Sequence, residues 1–161
     1  MPLVLFEIRD NIALLTLNNP EKRNMLTFEV CEMIVDYVAQ AEQHPDVKAL
    51  IVTGNGPAFC AGGQLTDITA DQLMLENIYS GFLSIAQCEL PTIAAVNGPA
   101  VGAGFNMAVG CDVRIVTEKS RFEPRFFGLG LHPGGGNSWM LRQLVNWNTA
   151  AGMLLFSQSI T

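Results

Sequence analysis

The stretch from Asn97 to Asp112 constrains the fold of this chain most. It reads Asn-Gly-Pro-Ala-Val-Gly-Ala-Gly-Phe-Asn-Met-Ala-Val-Gly-Cys-Asp, with four glycines and three alanines in sixteen residues. It follows a short apolar run, Thr92 to Val96, that reads as a buried strand. Its second half, Ala103 to Gly110, reads as a buried helix. A strand, then glycines, then a helix leaves free backbone N–H groups at a helix N-terminus, pointing into a cavity. Such groups can hold a phosphate, or the oxyanion that develops on a carbonyl. The rest of the chain has to decide between the two.

Elsewhere strands and helices alternate. Leu3 to Ile8 and Ile12 to Leu17 form a predicted hairpin, because Asp10-Asn11 suits a tight turn. Thr27 caps a helix in which Val30, Cys31, Ile34, Val35, Val38 and Ala41 recur at helical spacing, and His44-Pro45 ends it. Val47 to Thr53 is a strand and Gly54 to Gly63 a loop. Asp71 to Gln87 is a second amphipathic helix. Val113 to Val116 is a further buried strand. Helices follow from Asn137 to Leu144 and from Asn148 to Phe156. This order predicts an α/β fold, largely parallel, with crossover helices, in a single domain over 1–161.

Composition narrows the partners. Of the 161 residues 49% are apolar and only 15% charged, so apolar surface buried between subunits is expected. The net charge of −6, with no basic block, argues against nucleic acid and against an anionic membrane surface. Cys31, Cys60, Cys88 and Cys111 lie far apart. Neither a disulfide framework nor a metal site is predicted, and reduced core cysteines of a cytoplasmic protein fit better. There is no secretory signal pattern, and no apolar run reaches the roughly 18 residues a membrane span needs.

Several chemical motifs fail on spacing. After Gly102-Ala103-Gly104 the third glycine of a dinucleotide fingerprint would fall at Met107, and no P-loop pattern is present. Gly136-Asn137-Ser138-Trp139-Met140 lacks the closing glycine of a nucleophile elbow. Two glycine-rich segments remain, each after a strand: Phe59 to Leu65 and Gly98 to Gly104. Each could give one N–H to a single oxygen, which suits an enolate better than a diphosphate. Close helix–strand packing is the alternative use of the same small residues.

These residues resemble the crotonase, or enoyl-CoA hydratase/isomerase, superfamily. Asn19 to Leu26 is similar to the family's N-x-P-x-x-x-N-A-L. Ile51 to Gly54 with Phe59-Cys60-Ala61-Gly62-Gly63 is similar to its strand, loop and F-x-A-G-x-D. Pro91 to Gly104 is similar to P-x-I-A-A-V-N-G-x-A-x-G-G-G. Asp112, Phe122 and Pro133-Gly134-Gly135-Gly136 fall where the family keeps its C-D, F and P-G-x-G. The resemblance implies a spiral of repeated ββα units, as in the ClpP/crotonase fold. It implies assembly as a homotrimer or dimer of trimers, a role in fatty acid metabolism, and an acyl-CoA thioester as substrate with no further cofactor. Carried across by position, the two oxyanion-hole N–H groups belong to Gly63 and Ala103. Lys22, Arg23, Met25, Leu26, Ala61, Gln64, Leu65 and Gly104 would lie along the CoA ester, with Lys22 and Arg23 facing its phosphates.

The departures fall at the chemistry. Of the two glutamates that hydratases of the family use, the first falls at Asn106 and the second at Phe126, or at Arg125 with a shift of one. Gln64 stands where the family has Asp. His132 is the best replacement acid/base, because imidazole is the side chain suited to moving protons near neutral pH. Glu123 is a weaker candidate that can instead pair with Arg121 or Arg125. Asp67 is read as a helix cap, and Cys60 as a core residue. Family members also run on beyond this length, into C-terminal helices that cover the acyl pocket, so the pocket here is expected to be less enclosed. The reading is an enzyme that stabilises a thioester enolate, for hydration, isomerisation, hydrolysis or decarboxylation. The alternative is an acyl-CoA-binding protein that has lost catalysis.

Overall fold

The computed structural model describes residues 1–64 and 72–161. Leu65, Asp67 and the predicted helix start at Asp71 lie outside the described residues. The predicted hairpin forms: β1 (Val4–Arg9) and β2 (Ile12–Leu17) run antiparallel. Asp10 and Asn11 both take left-handed backbone, φ 50° and 65°. That is the two-residue turn whose twist matches the strands it joins.

Each later strand of the main sheet is reached by a helical crossover. Helix α1 (Phe28–Gln43) leads to β3 (Ala49–Gly54), and α2 (Gln72–Ala86) to β4 (Thr92–Val96). Helix α3 (Ala103–Gly110) leads to β6 (Val113–Val116). The sheet order is β1-β2-β3-β4-β6, parallel throughout after the first hairpin. The Thr27 hydroxyl accepts the Val30 N–H at 3.3 Å and fixes the start of α1. One sheet face is fully buried by alternate residues, Ala13, Leu15 and Leu17 on β2 and Leu50 and Val52 on β3, which join Ile34 and Val38 of α1 in the core. No helix among the described residues is long and apolar enough to cross a membrane.

Strand β6 departs from expectation. It is the sheet edge, and Val113, Ile115 and Val116 are 51–60% exposed rather than buried. Apolar content records residue type, and position in the sheet decides burial. The sequence reading also left out two three-residue strands, β5 (Pro99–Val101) and β7 (Arg121–Glu123), which pair in parallel. Single bridges Cys60–Ala100, Leu26–Gly63 and Phe122–Ile160 widen this pair into a narrow second sheet. Segments following β2, β3, β4 and β6 all enter it, and this repeat positions the site. Two further helices, α4 (Asn137–Leu144) and α5 (Trp147–Phe156), pack Met140, Leu141, Ala150 and Met153 against Phe105 and Val109 of α3.

Two polar side chains hold the crossings. Asn24, 2% exposed, donates its amide to the carbonyls of Ala58 (2.9 Å), Asn55 (3.0 Å) and Phe59 (3.2 Å), and accepts the Asn19 N–H at 2.9 Å. It ties the loop after β2 to the loop after β3. Asp112 ties the turn after α3 to the start of β4: one carboxylate oxygen accepts the N–H of Thr92 at 2.8 Å and its hydroxyl at 2.9 Å. These bonds hold the Asp112 carboxyl below the usual carboxylate range. A lowered folded pKa means stability that is present above the unfolded value, about 3.9, and lost as pH falls through the folded value. Denaturant unfolding at pH 6 and pH 3 is therefore expected to show a smaller acid loss for Asp112→Asn than for the parent chain. An equal loss in both would show that the latch does not titrate with folding.

Candidate functional site

The second sheet brings the two glycine-rich segments side by side, and peptide geometry aims them. The Gly62 carbonyl accepts the Leu26 N–H at 2.8 Å, and the Gln64 N–H reaches back to the Leu26 carbonyl at 3.0 Å. No peptide in the described chain is cis. In a trans peptide the N–H points opposite to the preceding C=O, so the Gly63 N–H points away from Leu26. Gly62 has φ +96°, and a Cβ built there would sit 2.8 Å from the Val101 carbonyl oxygen and 3.5 Å from the Ala103 nitrogen. Glycine is required on both counts.

The same logic orients the second donor. The Gly102 carbonyl points along α3 and accepts the Asn106 N–H at 3.0 Å, so the Ala103 N–H points out of the helix N-terminus. Among the described residues neither N–H meets an acceptor. Gly63 and Ala103 line one cavity of about 650 Å³. One wall is the α2 stripe Leu75, Ile78, Tyr79 and Phe82, at spacing i, i+3, i+4, i+7. Phe126, Leu129 and Leu131 form another. Two unpaired donors in a largely apolar cavity can stabilise a negative oxygen much more strongly than water does.

Asn106 and Phe126, where the sequence comparison expects the family's two glutamates, both line this cavity. Asn106 is 1% exposed and fully engaged: its amide donates to the Gly134 carbonyl at 3.1 Å, and its oxygen accepts from the Asn137 amide. Asn137 is itself buried, with its Oδ1 unpaired among the described residues. Phe126 places an aromatic ring in the wall. His132 is exposed and lines the cavity. Met25, Ala61 and Gln64 line it as well.

Other predicted residues stand elsewhere. Leu26 is fully buried in the core. Lys22 and Arg23 are exposed outside the cavity lining, but the Arg23 carbonyl accepts the Ala61 N–H at 2.9 Å, which fixes this basic loop beside the site. Gly104 serves packing: a Cβ there would fall onto the Cys60 carbonyl oxygen and 2.6 Å from Cys60 Cβ. Glu123 is absent from the lining and spans two guanidiniums, Arg121 at 3.5 Å and Arg125 at 3.9 Å. Cys60 is wholly buried and its thiol is pushed up to about 12 by desolvation, which leaves no thiolate for nucleophilic work.

Tyr79 and Arg125 also line the cavity, and sequence reasoning missed them in this role. The helical spacing of Tyr79 with Leu75 and Phe82 was a usable signal. Arg125 had none, because its place depends on a left-handed backbone, φ +60°, that sequence does not reveal for arginine.

The chain can now be set beside known proteins. The family described as Enoyl-CoA hydratase/isomerase matches residues 7–161. The protein named Probable enoyl-CoA hydratase EchA14 from Mycobacterium tuberculosis is 46% identical over 158 residues, covering 95% of this chain and 62% of that protein. The 1,2-epoxyphenylacetyl-CoA isomerase of Escherichia coli is 31% identical over 170 residues, covering all of this chain and 65% of that one. The crystal structure of an enoyl-CoA hydratase from Polaromonas sp. JS666 superposes with TM-score 0.88 at 31% identity, over 98% of this chain and 65% of the other. The chain thus spans somewhat less than two thirds of the length of these relatives.

Proposed function

The chain belongs to the enoyl-CoA hydratase/isomerase family and has the crotonase fold, and from that premise we propose that its cavity takes the thioester end of an acyl-CoA. The carbonyl oxygen of the thioester sits between the N–H groups of Gly63 and Ala103. The observation that carries this reading is a pair of N–H groups that meet no acceptor among the described residues and belong to two residues lining one largely apolar cavity. When a proton leaves the carbon next to the thioester, or a nucleophile adds to the conjugated double bond, charge collects on that oxygen. The two donors meet it there without reorganising.

His132 is the proton-transfer group in this reading, since both glutamate positions are occupied by residues that cannot act as bases. Glu123 is left out, because its carboxylate serves Arg121 and Arg125. Met25, Ala61 and Gln64 face the pantetheine side, and Lys22 and Arg23 meet phosphates outside the cavity. No cofactor beyond the CoA ester is needed. The chain acts as a single core domain, and the exposed apolar residues of β6 and the C-terminal helices are buried in a homotrimer or dimer of trimers in the cytoplasm.

A second reading, acyl-CoA binding without catalysis, is favoured by one observation: the Asn106 amide is spent on Gly134 and Asn137. Calorimetry with butyryl-CoA, and turnover of crotonyl-CoA and of a 3-enoyl-CoA, separate the two. The catalytic reading expects binding and turnover of at least one, with His132→Ala lowering turnover about a hundredfold and leaving butyryl-CoA affinity in place. Binding without turnover selects the second reading, and turnover that survives His132→Ala removes that residue from its role.

A further inference from the structure

The charge carried by the described lining of the cavity is of one sign. The chain as a whole is acidic, with 15 Asp and Glu against 9 Lys and Arg. Yet among the described residues that line the cavity there is no carboxylate. Its polar lining is made of the two backbone N–H groups, Tyr79, Arg125 and His132, with the neutral amides of Gln64 and Asn106. The Asn106 amide is internally satisfied. A CoA thioester with a plain hydrocarbon chain uses the two N–H groups and leaves Tyr79 and Arg125 idle.

Arg125 is placed at some structural cost. Arg125 holds φ +60°, a conformation uncommon for a residue with a side chain. Its only ionic neighbour among the described residues is Glu123, 3.9 Å away, which Arg121 shares at 3.5 Å. Two guanidiniums on one carboxylate give this trio one net positive charge, and of the three side chains Arg125 is the one that lines the cavity. The Tyr79 hydroxyl lies against Gly134, where a Cβ would collide with it, and has no hydrogen-bond partner among the described residues. Desolvation pushes its pKa up, so the phenol stays neutral and able to donate. An anionic group entering an apolar cavity needs such a paired cation and donor to offset lost hydration.

We propose that the acyl group taken by this cavity carries a carboxylate of its own, with Arg125 and Tyr79 as the residues that hold it. This rests on the acyl-CoA reading and adds the substrate class to it: the monothioester of a dicarboxylic acid.

The test compares glutaryl-CoA with pentanoyl-CoA by calorimetry on the full chain. Both carry five acyl carbons and the same CoA, so the phosphates cancel and only the terminal carboxylate differs. Glutaryl-CoA is expected to bind about tenfold more tightly. Arg125→Asn, a residue that tolerates the left-handed backbone, is expected to bring the ratio of the two dissociation constants to about one, and Tyr79→Phe to lower it about threefold. Equal binding, or tighter binding of pentanoyl-CoA, by the parent chain overturns this proposal alone. Parallel weakening of both esters by Arg125→Asn also overturns it. Binding of neither overturns the acyl-CoA reading with it.

Discussion

Ala103→Pro is expected to lower kcat on a CoA thioester by about a hundredfold to a thousandfold while leaving the fold in place. Proline deletes the one atom that matters here, the N–H hydrogen. Position 103 is the first residue of α3, where proline is well tolerated because the N–H has no helical partner. Among the described residues the Ala103 N–H meets no acceptor, so its removal breaks no hydrogen bond there. The loss should therefore appear in steady-state kinetics, with a thermal unfolding midpoint within a few degrees of the parent. Ala103→Ser keeps the N–H and should keep most of the rate. An unchanged kcat in a folded Ala103→Pro protein would take the Ala103 N–H out of the mechanism.

Gly104→Ala is expected to destabilise the chain by about 3 kcal/mol or more, read from urea unfolding. In an exposed helix the same change would stabilise by up to about 1 kcal/mol, so the sign of the effect is the test. Here the new methyl meets the Cys60 carbonyl oxygen, with Cys60 Cβ at 2.6 Å and Sγ at 2.8 Å. Cys60 cannot withdraw, since its N–H and C=O are bonded to Pro99 and Val101 in the second sheet. Relief requires α3 to move off the Cys60 segment. The Ala103 N–H rides on the moving helix, and the Gly63 N–H lies three residues beyond Cys60. Any folded population should then lose activity as well as stability. A neutral or stabilising result would mean that the helix and the strand are not in this close contact.

Much of this was legible from local pattern. The hairpin turn at Asp10-Asn11 and the Thr27 cap fall where turn and capping chemistry put them, and α3 and α4 start just after the positive-φ glycines Gly102 and Gly136, because those signals act within four residues. The short strands β5 and β7 escaped detection, since three residues carry no periodicity and their pairing joins segments about twenty residues apart. Edge strand β6 was misjudged as buried for a related reason: nothing in Val113 to Val116 records which strand stops the sheet.

The sequence by itself determined the order of strands and helices, and which positions had to be small. Both follow from short-range backbone and packing preferences. It also showed that Asn106 and Phe126 cannot act as bases, which is a matter of side-chain chemistry alone. Tertiary structure decided that Gly63 and Ala103 line one cavity, that Asn106 is spent on Gly134 and Asn137, and that Tyr79 and Arg125 line the same cavity as His132. Those facts rest on contacts between residues about thirty to fifty positions apart. The direction of a peptide N–H or a guanidinium is set by the partner it packs against, and only the folded chain brings that partner into place.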